Sequence, residues 1–243
     1  MAARQWMARA LGVIGFAALA TGCTDDGVSL HAICPIPPEV SDDSCTWDPG
    51  SNLCVADGVL NLSAADYYRL NLKVESGLKA RMRDVPPLAE TNGLQIQRAR
   101  VELRLPSGER WGFPAQPETY TDVDGMEKMR TLPALENPYW VSASGFVDPG
   151  GNAVVPITVI AKDYVDRFAK NPSVSQIVVA VTLHGKTSGT EEIESDEFIW
   201  PVRLIKANPL QIANECIPGI GYCLGSLGQD GFALACKDSA SSN

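Results

Sequence analysis

Residues Tyr68-Arg69-Leu70-Asn71-Leu72-Lys73-Val74-Glu75 alternate apolar and polar side chains without a break. Successive side chains of an extended chain point to opposite faces, so this stretch is a strand with one face in an apolar interior and the other in water. Toward the N-terminus, Val59, Leu60 and Leu62 open an apolar run of the same kind. Toward the C-terminus, Leu94 and Ile96 alternate with Gln95 and Gln97, and Val101, Leu103 and Leu105 alternate with Arg100, Glu102 and Arg104. These two halves are out of phase. A break near Arg98-Ala99 reconciles them, and one extra residue in a strand is a β-bulge.

Further strands are expected over 139–147, 154–160, 177–184 and 197–205, separated by turn-forming stretches such as Asp148-Pro149-Gly150-Gly151-Asn152 and 185–190. One helix interrupts them. Ala161, Tyr164, Val165, Phe168 and Ala169 recur at helical spacing, Asp163, Asp166, Arg167 and Lys170 take the other face, and Asn171-Pro172 ends the run. With 17 prolines and 21 glycines favouring many short elements, the fold class expected is all-β, an antiparallel β-sandwich with one short helix. The sandwich should occupy residues 58–206. Residues 23–57, rich in Asp, Ser, Pro and Cys and without sustained period, read as a tether and a stapled loop region, and 207–243 as a Cys-rich segment packed back on the domain.

The first 23 residues carry a different signal. Arg4 and Arg9 give a positive start, 11–20 an apolar core too short to span a bilayer, and Leu19-Ala20-Thr21-Gly22-Cys23 sets small residues before a single cysteine. This stretch resembles the lipobox of bacterial lipoproteins. The resemblance implies that 1–22 are a signal peptide and that Cys23 is the lipidated first residue of a protein anchored in the cell envelope. Thr24 in place of Asp implies the outer membrane, with the domain facing the periplasm or the cell surface. The spacing from Asp66 to Leu78, with Glu90-Thr91-Asn92-Gly93-Leu94 and the terminal cysteine cluster, resembles uncharacterised secreted lipoproteins with immunoglobulin or fibronectin type III sandwiches. That likeness implies a fold and no activity.

Export to an oxidising compartment makes the six remaining cysteines, Cys34, Cys45, Cys54, Cys216, Cys223 and Cys236, a disulfide set. Each end of the chain holds three of them, an odd number, so complete pairing requires at least one bridge between the ends. The expected arrangement pairs Cys45 with Cys54, Cys223 with Cys236 and Cys34 with Cys216, and it staples the N- and C-terminal segments to the sandwich. A zinc site is not expected, because Cys-x-x-Cys is missing and only His31 and His184 could assist.

Charge and motifs narrow the function. The chain has 20 basic and 29 acidic residues, and removing 1–22 with Arg4 and Arg9 leaves 18 against 29, or -11. Such a balance opposes nucleic-acid binding, which needs cations to displace counterions from phosphates. No Gly-x-Ser-x-Gly elbow, phosphate loop or dinucleotide fingerprint occurs, and Gly219-Ile220-Gly221 lacks the later glycine. His184 reads as a polar strand-end residue. Asp122-Val123-Asp124-Gly125-Met126-Glu127 lacks the full calcium-loop spacing and reads as a solvated acidic turn, and Glu191 to Glu197 as a charged strand edge. No enzyme activity, cofactor or metal is therefore expected. The long connection over 106–138 is the candidate functional surface, unless 103–111 folds as a hairpin and shortens it. It carries Trp111, Phe113 and Tyr120, with Tyr139 and Trp140 following, aromatics that either grip a ligand or cap the core. The function expected is a structural or protein-binding role as a monomeric lipid-anchored envelope protein. The alternative is a polysaccharide-binding lipoprotein that uses the aromatics around 106–140.

Overall fold

The computed structural model describes residues 29–41, 44–80, 92–206 and 229–230. Among these residues the chain is all-β with a single helix: β1 (Leu30–Pro35), β2 (Glu39–Ser41), β3 (Ser44–Thr46), β4 (Gly58–Asn61), β5 (Tyr68–Ser76), β6 (Leu94–Arg104), β7 (Gln116–Thr121), β8 (Glu127–Leu132), β9 (Tyr139–Val147), β10 (Asn152–Ile160), α1 (Lys162–Ala169), β11 (Gln176–Thr187), β12 (Glu192–Glu194) and β13 (Phe198–Ile205). Nine of the strands form one sheet, eight along the path β1-β5-β10-β9-β6-β11-β13-β4 and β12 off it beside β11. Four strands separate β5 from β13 along that path. Yet Trp200 Nε1 of β13 donates to Tyr68 Oη of β5 at 3.2 Å, so the path turns back and lays one layer over the other.

The turn lies between β9 and β10, where only Ile157 pairs with Ala143. Pro156, which has no N–H to give to a ladder, sits beside that bridge. One layer is therefore β1-β5-β10 and the other β9-β6-β11-β13-β4. Tyr68, Leu70, Leu72 and Val74 of β5 are buried in one apolar cluster with Val155 and Ile157 of β10, Val101 and Leu103 of β6, Val179 and Val181 of β11, and Val202 of β13. The expected bulge is present. Against β11, His184 pairs with Arg98 and Gly185 with Ile96, leaving Gln97 as the extra residue.

Three expectations need correction. The sheet is not wholly antiparallel, because β4 runs parallel to β13. The stretch 23–57 is more than a tether and loop, since β1 forms the edge of a layer against β5 and β2 pairs with β3. Leu30-His31-Ala32-Ile33-Cys34-Pro35 lacks clean alternation because its register slips between Ala32 and Cys34. Arg167, assigned to the solvent face of the helix, is buried and donates to the carbonyls of Pro114, at 3.2 Å, and Pro133.

The disulfide pairing is also corrected. Cys34 bonds to Cys54 with Cα atoms 5.7 Å apart, in place of Cys34–Cys216 and Cys45–Cys54. The β2–β3 hairpin reverses the chain between them, and Val55 N donates to Pro35 O at 3.0 Å, setting Cys54 beside the end of β1. Cys216, Cys223 and Cys236, and with them the expected Cys223–Cys236 bridge, lie outside the described residues, as does Cys23. Non-reducing peptide mapping should therefore recover a Cys34–Cys54 cross-link. By the same parity, complete pairing of the six cysteines would leave Cys45 to cross to the C-terminal cluster. A recovered Cys45–Cys54 peptide would contradict the fold of this region.

Candidate functional site

The five aromatics of the 106–140 region divide between interior and surface. Trp111, Phe113 and Tyr139 pack inward against Tyr164 and Phe168 of α1: Phe113 lies 4.9 Å from Tyr164 and 5.5 Å from Phe168 between ring centroids, and Tyr139 stacks on Tyr164 at 4.3 Å. Trp111 reaches Phe168 at 6.2 Å. The polar tips are satisfied at backbone carbonyls, Tyr139 Oη at Val159 and Tyr164 Oη at Glu136. Burial pushes the Tyr164 hydroxyl up to about 12, so it stays a donor. The Asn137 side chain fixes the entry to this cluster. Its Nδ2 donates to Leu103 O at 2.7 Å and Trp111 O at 2.8 Å, and its Oδ1 accepts from Leu103 N at 2.9 Å. These three rings cap the core, while Tyr120 and Trp140 stand in solvent on separate strands.

The connection itself is two hairpins. Leu105 N donates to Glu109 O at 2.7 Å and Trp111 N to Leu103 O at 2.9 Å, which folds 103–111 as a tight turn. Strands β7 and β8 then form a two-stranded ribbon from Gln116 to Leu132, paired only with each other. A lone ribbon of this size is marginal in water. This one is fastened at its base. Glu118 of β7 accepts from Lys170, just past α1, and from Arg130 Nε at 2.6 Å, while Arg167 holds the flanking carbonyls of Pro114 and Pro133. Hydrogen bonds from Lys170 and Arg130 hold the Glu118 carboxyl below its ordinary range.

The acidic turn forms the tip of the ribbon. Asp122 Oδ1 accepts from Asp124 N at 2.9 Å and Met126 N at 3.1 Å, Lys128 pairs with the same carboxylate, and Gly125 takes a φ of 77° that favours glycine. The hydrogen bond from Lys128, and after it those from the backbone, hold Asp122 below its ordinary range. Its carboxylate thus serves the turn and Lys128. Among the described residues, no three His, Cys, Asp or Glu side chains converge as a metal site would require. Nine large apolar side chains are exposed among the described residues, and four of them, Tyr120, Val123, Met126 and Met129, lie on this one ribbon. Sequence pattern gave no warning, because both strands are solvated on both faces and neither alternates.

The outer face of the larger layer holds a second group. Arg98 lies over the Trp140 ring, 4.2 Å from its centroid, and the His184 ring meets the same indole edge-on at 4.7 Å. Burial lowers the pKa of His184, which keeps the imidazole neutral near pH 7, although Glu194 Oε1 is 3.7 Å away. His184 therefore sits within its strand, in the row Glu194, His184, Arg98, Ser142.

A third place is an apolar cleft of about 240 Å³ between Ile36-Pro37-Pro38 and the Tyr68–Trp200 contact. Its polar floor is closed on itself. Asp230 Oδ1 accepts from Tyr68 Oη at 2.8 Å and Val59 N at 3.0 Å, while the Gln229 amide brackets the Arg69 peptide, accepting from N at 2.9 Å and donating to O at 2.7 Å. Gln229 and Asp230 thereby fill the gap between β4 in one layer and β5 in the other. Burial, foremost, raises the pKa of Asp230, and burial together with the Asp230 charge raises that of Tyr68. No protein-family model matches the chain, and no curated protein matches it.

Two outcomes follow from this geometry. Phe168→Ala should cost about 3–5 kcal/mol in urea unfolding, and Tyr120→Ala under about 0.5 kcal/mol, since only the first ring fills the core. Asp230, with a folded pKa above its unfolded one, is least favourable when ionised. The wild type should therefore gain stability relative to Asp230→Asn as pH falls from neutrality toward the ordinary carboxylate range, and a gap independent of pH would show that the carboxylate does not titrate there.

Proposed function

We propose that this chain is a lipid-anchored protein of the bacterial cell envelope with a non-enzymatic, protein-binding role, and that the β7–β8 ribbon is the element that engages the partner. Acylation at Cys23 would hold the domain at the membrane, in the outer membrane by the residue that follows, as a monomer free to present the ribbon. The observation that carries the reading is the exposure of Tyr120, Val123, Met126 and Met129 on a ribbon whose base and tip are both fixed. An exposed apolar cluster is costly to keep in water and marks a contact surface when held in one shape. Methionine suits such a surface, being unbranched and able to fit varied partners.

The reading as a polysaccharide binder that uses the aromatics of 106–140 loses support, since Trp111, Phe113 and Tyr139 cap the core and offer no platform. Activity as an enzyme has no supporting constellation among the described residues. The partner reading is checked by placing a photo-crosslinking side chain at Tyr120 in cells. One discrete protein adduct should form and should vanish in Val123→Asp/Met126→Asp, a variant whose melting temperature stays at the wild-type value because both side chains are exposed. Adducts that persist in the variant would remove the ribbon from the proposal. Intact mass of the membrane-extracted protein tests the anchor separately, through acyl mass on Cys23.

A further inference from the structure

The bulge in β6 does more than reset the phase of a strand. Leu94 and Ile96 point inward, so an unbroken alternation would also bury Arg98. The extra residue Gln97 turns both Gln97 and Arg98 outward and sends Ala99, Val101 and Leu103 to the core. Opposite it, Gly185 brings β11 so close to β6 that a Cβ there would lie 2.3 Å from Gln95 O. Together they open a groove of about 290 Å³ lined by Gln97, Arg98, His184, Gly185, Lys186 and Glu192. Bulges recur beside binding sites because they re-aim side chains in this way.

The chemistry of the groove is specific. In a chain with 29 acidic and 20 basic residues, Arg98 has no ion pair among the described residues, whereas Lys186 Nζ lies 3.5 Å from Glu192 Oε1. The Trp140 ring steadies the guanidinium. A guanidinium held over a ring keeps its in-plane N–H donors free for a bidentate carboxylate. Gln97 adds an amide donor and acceptor, and Glu192 adds acceptors suited to hydroxyl groups. The net charge of -9 repels a polyanion, which limits the ligand to a sparse negative charge. We infer that this groove binds a sugar acid, with its carboxylate on Arg98 and its hydroxyls on Gln97 and Glu192. The site is separate from the ribbon and does not depend on a protein partner.

The test is two-dimensional NMR of the purified protein titrated with glucuronate, glucose and acetate. Glucuronate should shift the amides of Gln97, Arg98 and Gly185 saturably. Glucose, lacking the carboxylate, and acetate, lacking the hydroxyls, should each bind about tenfold more weakly or worse. Arg98→Gln should weaken glucuronate by about tenfold or more while leaving distant amides in place, and Gln97→Ala should weaken glucuronate but not acetate. No saturable shift at these amides, equal binding of glucose or acetate by the wild type, or unchanged glucuronate binding by Arg98→Gln would each overturn the inference. Should Arg98→Gln fail to fold, the three-ligand comparison and Gln97→Ala still decide it.

Discussion

Eight strands hydrogen-bonded in one path, with a ninth beside it, can bury a single apolar interior only if the path folds over on itself, and here that fold depends on the weakest seam in the sheet. Between β9 and β10 one pair, Ala143 with Ile157, stands where the adjoining ladders run to eight and seven pairs. A proline beside the bridge withholds a donor, and the strands on either side are free to splay. The consequence appears across the core, where Tyr68 and Trp200 meet although four strands lie between theirs. The open gap this leaves between β4 and β5 is where Gln229 and Asp230 dock. A polar closure suits that place, because β4 ends one layer and the start of β5 runs past the ladder with β1, so the peptide groups of Val59 and Arg69 need partners.

The aromatic cluster under α1 answers the same requirement at another place. Two layers splayed from one seam leave a mouth that short loops cannot fill, and five rings with a helix across them supply the volume. Arg167 shows how such a cap tolerates a charge. Its guanidinium reaches two loop carbonyls rather than a carboxylate, which satisfies its donors and fastens the ribbon to the helix in the same contact. The ribbon therefore inherits its stiffness from the core, although nothing on its own two faces is buried.

The legibility of this molecule in its sequence followed burial. β5, β9 and β10 have one face inward, and their alternation placed them at or close to their observed bounds. The helix was readable from Ala161, Tyr164, Val165 and Phe168 for the same reason. β1 was not, because its register slip destroys the period, and β7 and β8 were not, because a solvated ribbon imposes no period at all. The parallel pairing of β4 with β13 leaves no mark on either strand's own residues. Among the aromatics, type and position gave no means of separating Phe113 from Tyr120, since a ring that caps a core and a ring that stands in solvent have the same chemistry until the fold places them. The cysteine parity was correct as counting and silent on pairing, which depends on where a hairpin returns the chain.

The bulge in β6 was the one irregular feature legible from sequence, and the reason bears on function. A regular strand can hide its register behind conservative alternation, but a phase break forces two neighbouring residues to the same side, here Gln97 and Arg98. The break serves the core as well, since without it Arg98 and Arg100 would face inward and Ala99 and Val101 outward. One irregularity thus fills the interior and shapes the outer face, where Arg98, lying over the Trp140 ring, and His184 line a groove that the bulge and Gly185 create together.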